Sequence, residues 1–149
     1  MTGRGSDPAE SSSPLYYVDT SAALRLLLEE EHSADLYAVF EGTRDSVAWV
    51  SSEILRVEVM RTVRRVAPVM LLEALEMLEH LGFVHLAADV VDAAVREPDP
   101  VLRSLDALHV ATARLLGDQV QGFVTYDQRQ AAAATAAGLP VLTPGRPGP

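Results

Sequence analysis

The sequence predicts an α/β domain in which a mainly parallel sheet is covered by helices on both faces. Two observations carry this expectation. Short apolar runs alternate with longer segments rich in helix formers, the pattern of strands joined by crossover helices. Carboxylates also close several of those runs, at the strand-to-helix junctions where open α/β sheets build their sites.

Leu15-Tyr16-Tyr17-Val18 is short, apolar and aromatic, as a buried strand should be. Thr20 or Ser21 can cap the following helix, Ala22 to Glu30. A second helix is expected from about Ser33 to Glu41, stopped by Gly42, and then a strand over Val47-Ala48-Trp49-Val50. Ser51 or Ser52, with a glutamate following, resembles a capping signal and opens a helix to about Val66. Pro68 suits the first turn of another helix, ending near Leu81-Gly82. Phe83 to Leu86 reads as a strand and Asp89 to Glu97 as a short helix, interrupted by Pro98 and Pro100. Ser104 is expected to cap a helix through Leu116, which Gly117 ends. Gly122 to Thr125 reads as a strand, and Gln128 to Ala137 as a helix closed by Gly138. Pro140-Val141-Leu142 completes the sheet as an edge strand.

A length of 149 residues suits one domain, here residues 15–144. The Gly/Ser/Pro-rich residues 1–14 are expected to be a disordered extension and 145–149 a flexible tail. Cysteine is absent, which excludes disulfides, thiol catalysis and zinc–thiolate sites and fits a cytoplasmic location. No apolar run approaches the roughly 20 residues needed to span a bilayer, so no membrane role is expected. Twelve basic against 21 acidic residues give a net charge of −9, which argues against holding nucleic acid by bulk electrostatics. All the basic side chains are arginine. Arg56, Arg61, Arg64 and Arg65 form a strip that reads as a solvated face, a phosphate track or a surface for an acidic partner. Leu72, Leu75 and Leu78 read as core or dimer surface.

Four acids stand out. Asp19 closes its apolar run and Asp127 closes Phe123-Val124-Thr125-Tyr126; either could be an ordinary helix cap. Thr125, two residues before Asp127, points to the same side of its strand and could hold a carboxylate. Asp106 opens an Ala-rich, apolar helix, so its burial demands a partner. His109, one turn on, reads as a hydrogen-bonded core residue rather than a metal ligand. Glu53 and Glu58 lie five residues apart on one helix, about 140° from each other, and cannot share a face. Glu58 has apolar neighbours and Glu53 has a first-turn role available, so Glu58 is favoured. Several acids converging without cysteine would make a pocket for a hard cation, Mg²⁺ or Mn²⁺.

Tyr17-Val18-Asp19-Thr20-Ser21-Ala22 and Ser51-Ser52-Glu53-Ile54-Leu55-Arg56-Val57-Glu58-Val59-Met60-Arg61 resemble the first two motifs of PIN-domain ribonucleases. Leu102 to Ala113, with Ser104-Leu105-Asp106-Ala107-Leu108-His109 at its heart, and Val124-Thr125-Tyr126-Asp127-Gln128-Arg129 resemble the other two. Their order and spacing are similar to the VapC toxins of bacterial toxin–antitoxin pairs, over about Leu15 to Pro144. The resemblance implies a PIN-like three-layer α/β/α sandwich with a five-stranded parallel sheet. It also implies a Mg²⁺- or Mn²⁺-dependent endoribonuclease acting on RNA such as tRNA or rRNA, a homodimer, and inhibition by a VapB-type antitoxin. Carried over by position, the acidic set is Asp19, Glu58, Asp106 and Asp127, with Thr125 accessory. On that reading Asp19 and Asp106 are the main metal ligands, and Glu58 and Asp127 act directly or through water. An Asp-first phosphatase needs a second acid two residues after Asp19, where Ser21 stands. A housekeeping RNA-processing nuclease and a non-catalytic PIN-like binding module remain the alternatives.

Overall fold

The computed structural model describes residues 13–147; residues 1–12 of the expected extension and 148–149 of the expected tail lie outside the described residues. Strands β1 (Leu15–Val18), β2 (Ala48–Ser52), β3 (Gly82–Val84), β4 (Val120–Val124) and β5 (Val141–Leu142) form one five-stranded sheet in the order β3-β2-β1-β4-β5. Every pairing is parallel, so the sheet is wholly rather than mainly parallel. The described residues form seven α-helices: α1 (Thr20–Leu27), α2 (Ser33–Thr43), α3 (Ile54–Val66), α4 (Leu71–Glu79), α5 (Ala88–Val95), α6 (Ser104–Leu116) and α7 (Gln128–Ala136).

Strand periodicity divides the core. Val18 and Val124 face a cluster with Ala22, Leu36, Trp49, Leu55, Val59 and Leu78, contributed largely by α1 to α4. Leu15, Tyr17 and Phe123 face the opposite side, against Ala107, Val110, Ala113, Ala133 and Ala134 of α6 and α7. The result is the expected three-layer α/β/α sandwich. Because β1 neighbours both β2 and β4, strand order reverses there, and a crevice opens at the carboxyl ends of β1 and β4.

Local departures from the sequence reading have identifiable causes. The helix expected from Pro68 begins as a 3-10 turn, Pro68–Met70, and becomes α-helical only at Leu71. Ala67 before the proline sits at φ −152°, outside the helical region that pre-proline residues avoid. β3 ends at Val84 rather than Leu86, because the Leu86 N–H donates to the Glu53 carboxylate (2.8 Å) and not to a strand. β4 starts at Val120, two residues earlier than expected, where it pairs with Leu15. The α1 cap is Asp19 itself rather than Thr20 or Ser21, and α6 starts at Ser104 with no side-chain cap. In the stretch expected to be a flexible tail, Arg146 instead bonds the domain, its Nη1 donating to the Tyr126 carbonyl at 3.3 Å. Leu78 is core, whereas Leu72 and Leu75 are exposed beside Val69. No helix among the described residues is long and apolar enough to cross a membrane.

Gly122 marks where sheet and edge strand meet most closely. A Cβ there would lie 2.3 Å from Leu142 Cδ1, 2.8 Å from Leu142 Cγ and 3.1 Å from Tyr16 Cδ1. Gly122→Ala should therefore force β5 outward and cost about 1–3 kcal/mol. Denaturant unfolding of the two proteins measures this, and an unchanged midpoint would contradict the packing.

Candidate active site

The crevice between β1 and β4 is organised around Asp19, which is 2% exposed. The residue follows β1 directly, and its N–H continues the ladder to the Val124 carbonyl at 3.1 Å. Its Oδ1 accepts from the Ala22 N–H (3.0 Å) and the Ser21 hydroxyl (2.7 Å), and Oδ2 accepts from the Thr125 hydroxyl (2.5 Å). Both hydroxyls are held in turn. Ser21 Oγ accepts from the Tyr126 N–H at 2.9 Å, and Thr125 Oγ1 accepts from the Asp127 N–H at 3.0 Å. Asp127 caps α7, its Oδ1 accepting from the N–H groups of Arg129 (2.9 Å) and Gln130 (3.1 Å).

Glu58 reaches the site from α3. Its Oε1 accepts from the Thr20 hydroxyl and from His109 Nε2, both at 2.8 Å. His109 is fully buried, as expected of a core histidine, and its Nδ1 lies 2.7 Å from the Tyr17 hydroxyl. That hydroxyl also accepts from the Ser52 N–H (3.1 Å), so Tyr17 links β2 to the His109 ring whose other nitrogen meets Glu58. Burial pushes the Tyr17 phenol well above its ordinary value and keeps it protonated. Glu58 thus has a histidine and a threonine as partners, where the sequence suggested a cation. Glu53 turns elsewhere, accepting from Leu86 N–H and lying 2.7 Å from His85 Nδ1.

Asp106 completes the set from the first turn of α6. Its carboxyl is raised above the ordinary range, first by burial and then by the negative charges of Asp127, Asp19 and Glu58. Asp106 therefore feels the other three acids, although they come from separate parts of the chain. Gln130, completely buried, extends Nε2 toward Asp106 Oδ1 at 3.5 Å, while its Oε1 has no partner among the described residues. Thr20, Ser21, Tyr17 and Gln130 are orienting groups that the sequence did not single out for this purpose. Thr20 and Ser21 looked like caps, and nothing in the sequence pairs Gln130 with Asp106.

Beside Glu58 lies a groove of about 660 Å³ lined by Thr20, Val57, Arg61, Arg64, Arg65 and Leu105. Among the described residues, Arg61, Arg64 and Arg65 make no hydrogen bond or ion pair with protein. Arg56 leaves the strip and stacks over Phe83, 5.7 Å from the ring centroid. The donors around Asp19 and Asp106 are carboxylates and hydroxyls without sulfur, the set suited to a hard divalent ion. Such an ion's charge would relieve the like-charge repulsion that raises Asp106. As they stand, no three His, Asp or Glu side chains among the described residues are grouped to hold one, so a shared ligand set requires side-chain rotation. In charge and donor type the residues fit.

A PIN domain model matches residues 16–136. Ribonuclease VapC35 of Mycobacterium tuberculosis (strain CDC 1551 / Oshkosh) is 36% identical over 134 residues, covering 89% of this chain and 98% of the relative. The VapBC2 structure from Rickettsia felis, bound to a promoter DNA fragment, superposes with a TM-score of 0.64 at 13% identity, over 86% of this chain and 97% of that one. VapC20 of Mycobacterium tuberculosis, a sarcin-ricin loop cleaving toxin, gives a TM-score of 0.64 at 18% identity, over 79% and 94% of the two chains.

Burial also raises the Asp19 carboxyl, against the opposing effect of its hydrogen bonds from Thr125, Ser21 and Ala22. The folded state therefore holds this proton more tightly than the unfolded chain. The associated stability is present below the unfolded carboxylate value of about 3.9 and is lost as pH rises through the folded value. Asp19→Asn keeps the cap and removes the charge. In chelator-containing buffer it should melt above the parent at neutral pH, with the difference shrinking toward pH 4. A lower melting temperature at pH 7 would contradict the assigned burial cost.

Proposed function

The chain belongs to the PIN-domain family, among the VapC toxin ribonucleases of VapBC toxin–antitoxin systems, and on that premise we propose a metal-dependent endoribonuclease that cleaves cytoplasmic RNA. The observation that carries this reading is the hydrogen-bonded chain at the carboxyl ends of β1 and β4 that joins Asp19 through Thr125 to Asp127 and through Gln130 to Asp106, with Glu58 held by Thr20 of the same junction. Asp19 and Asp106 are assigned as the main holders of Mg²⁺ or Mn²⁺, with Asp127 and Glu58 acting directly or through water. When bound, such an ion supplies Lewis-acid stabilisation of charge on the phosphate and lowers the pKa of the attacking water.

The protein's own contribution is orientation. Ser21, Thr125 and the Ala22 amide fix the orientation of the Asp19 carboxylate, the point toward which the other acids must turn. His109 and Thr20 hold Glu58 at the edge of the arginine-lined groove. Arg61, Arg64 and Arg65 can each take a phosphate, which makes the groove a track for an RNA backbone in an otherwise acidic molecule. Of the open readings of that strip, the phosphate track is favoured because its guanidinium groups line the groove beside Glu58. VapC20 cleaves the sarcin-ricin loop, and rRNA or tRNA is the corresponding substrate class proposed here. A VapB-type antitoxin is the proposed protein partner, and the exposed apolar ridge of Val69, Leu72 and Leu75 suits a homodimer contact.

Purified protein should cleave RNA with Mg²⁺ or Mn²⁺ and stop on chelation. Asp19→Asn and Asp106→Asn should each lower kcat by about 10²-fold or more. Variants as active as the parent would overturn the assignment. Metal binding by calorimetry without cleavage would favour the non-catalytic module.

Arg64→Gln and Arg65→Gln should raise KM several-fold with little change in kcat. The salt dependence of binding should become shallower, by about 0.7 in the logarithmic slope per lost phosphate contact. Unaltered KM and salt slope in the double variant would remove the groove from the substrate path.

A further inference from the structure

The segment that carries Thr125 and Asp127 is gripped from outside by the end of β5 and the residues past it. The Thr125 N–H donates to the Leu142 carbonyl at 3.2 Å, and the Thr125 carbonyl accepts from the Thr143 hydroxyl at 2.9 Å. The Tyr126 hydroxyl donates to the Pro144 carbonyl at 2.7 Å, and the Tyr126 carbonyl accepts from Arg146 Nη1 at 3.3 Å. The peptide between Tyr126 and Asp127 is thus held at both ends: its carbonyl by Arg146 and its N–H by Thr125 Oγ1, the same oxygen whose proton goes to Asp19.

The turn that brings Arg146 back is built for this position. Gly145 has φ +94°, and a Cβ on it would lie 2.5 Å from His32 Nδ1 and 2.7 Å from Asp35 Oδ2, so only glycine fits. The Tyr126 ring takes the Arg25 guanidinium at 4.4 Å and that of Arg146 at 5.5 Å, with His32 stacked 6.2 Å away. Two segments far apart in sequence, 25–32 and 144–146, therefore close on one tyrosine, and that tyrosine sits between Thr125 and Asp127.

We propose that Arg146 and Thr143 are positioning residues of the nuclease centre, forming a clasp that holds Thr125 and Asp127 in register with Asp19. This rests on the nuclease reading above. A polar clasp beyond β5 adds little buried apolar surface, so its loss should disturb the alignment of the centre more than the fold. A misalignment of about 1 Å is enough for large losses in rate.

The test uses the full-length chain and compares Arg146→Ala, Arg146→Lys and the near-isosteric Thr143→Val. With RNA and Mg²⁺, Arg146→Ala should lower kcat about tenfold while KM stays within a factor of two, and Arg146→Lys should recover most of the loss, because a lysine can still donate to the Tyr126 carbonyl. Thr143→Val should give a smaller drop in kcat. Hydrogen exchange should quicken in peptides covering 125–130 in the alanine variant and stay unchanged in β1 and α3. Parent-like kcat in Arg146→Ala, a loss that Arg146→Lys does not recover, or unaltered exchange at 125–130 would each overturn the clasp. A parent protein that cleaves no RNA would instead overturn the nuclease reading, separating the two failures.

Discussion

Burial of the Asp19 carboxylate is the constraint around which the rest is arranged. A charged group with almost no access to water is costly unless hydrogen bonds replace its hydration. Asp19 obtains them from two hydroxyls and an amide, and each hydroxyl is itself fixed by a backbone N–H of the segment after β4. Satisfying one acid therefore locks the β1–α1 junction to the β4–α7 junction. The crevice at the strand-order reversal is a stiff seam rather than a gap between two loops.

A second network runs alongside the first. Tyr17 lies two residues before Asp19 and therefore on the same side of β1, where it bridges the Ser52 N–H of β2 and His109 of α6. His109 passes that order on to Glu58 from α3. A buried phenol, whose ionisation is suppressed by burial, is well suited to this place, because it stays neutral while joining two elements of the fold. The acids on the two faces of the sheet are thus brought toward one centre by polar groups that pass through the sheet's end.

Much of this was legible because it follows local periodicities. Apolar runs closed by acids located Asp19 and Asp127, the two-residue strand period paired Thr125 with Asp127, and helical spacing separated Glu58 from Glu53. The structure puts Glu53 against His85 and Leu86, with partners different from those of Glu58. What stayed hidden depends on proximity across the chain. Thr20 and Ser21 have the composition of caps, and only the folded packing turns their hydroxyls toward Glu58 and Asp19. Gln130 sits on an Ala-rich helix that gives no hint of its reach to Asp106. The Pro- and Gly-rich end of the chain reads as frayed, yet a glycine at positive φ and a stacked arginine tie it down, and composition alone does not distinguish the two.

The parallel pairing of β1 with β4 carries a consequence for the order in which the molecule comes into being. The hydroxyl that completes Asp19 belongs to Thr125, 106 residues further along the chain. During synthesis the amino-terminal acids emerge early, but they have no partner strand on that side until β4 has been made. Chains grow at about 5–20 residues per second, so for several seconds the nascent polypeptide holds Asp19 without the groups that align it. Completion of the crevice is thus a late event in the making of the chain, after β4 has emerged.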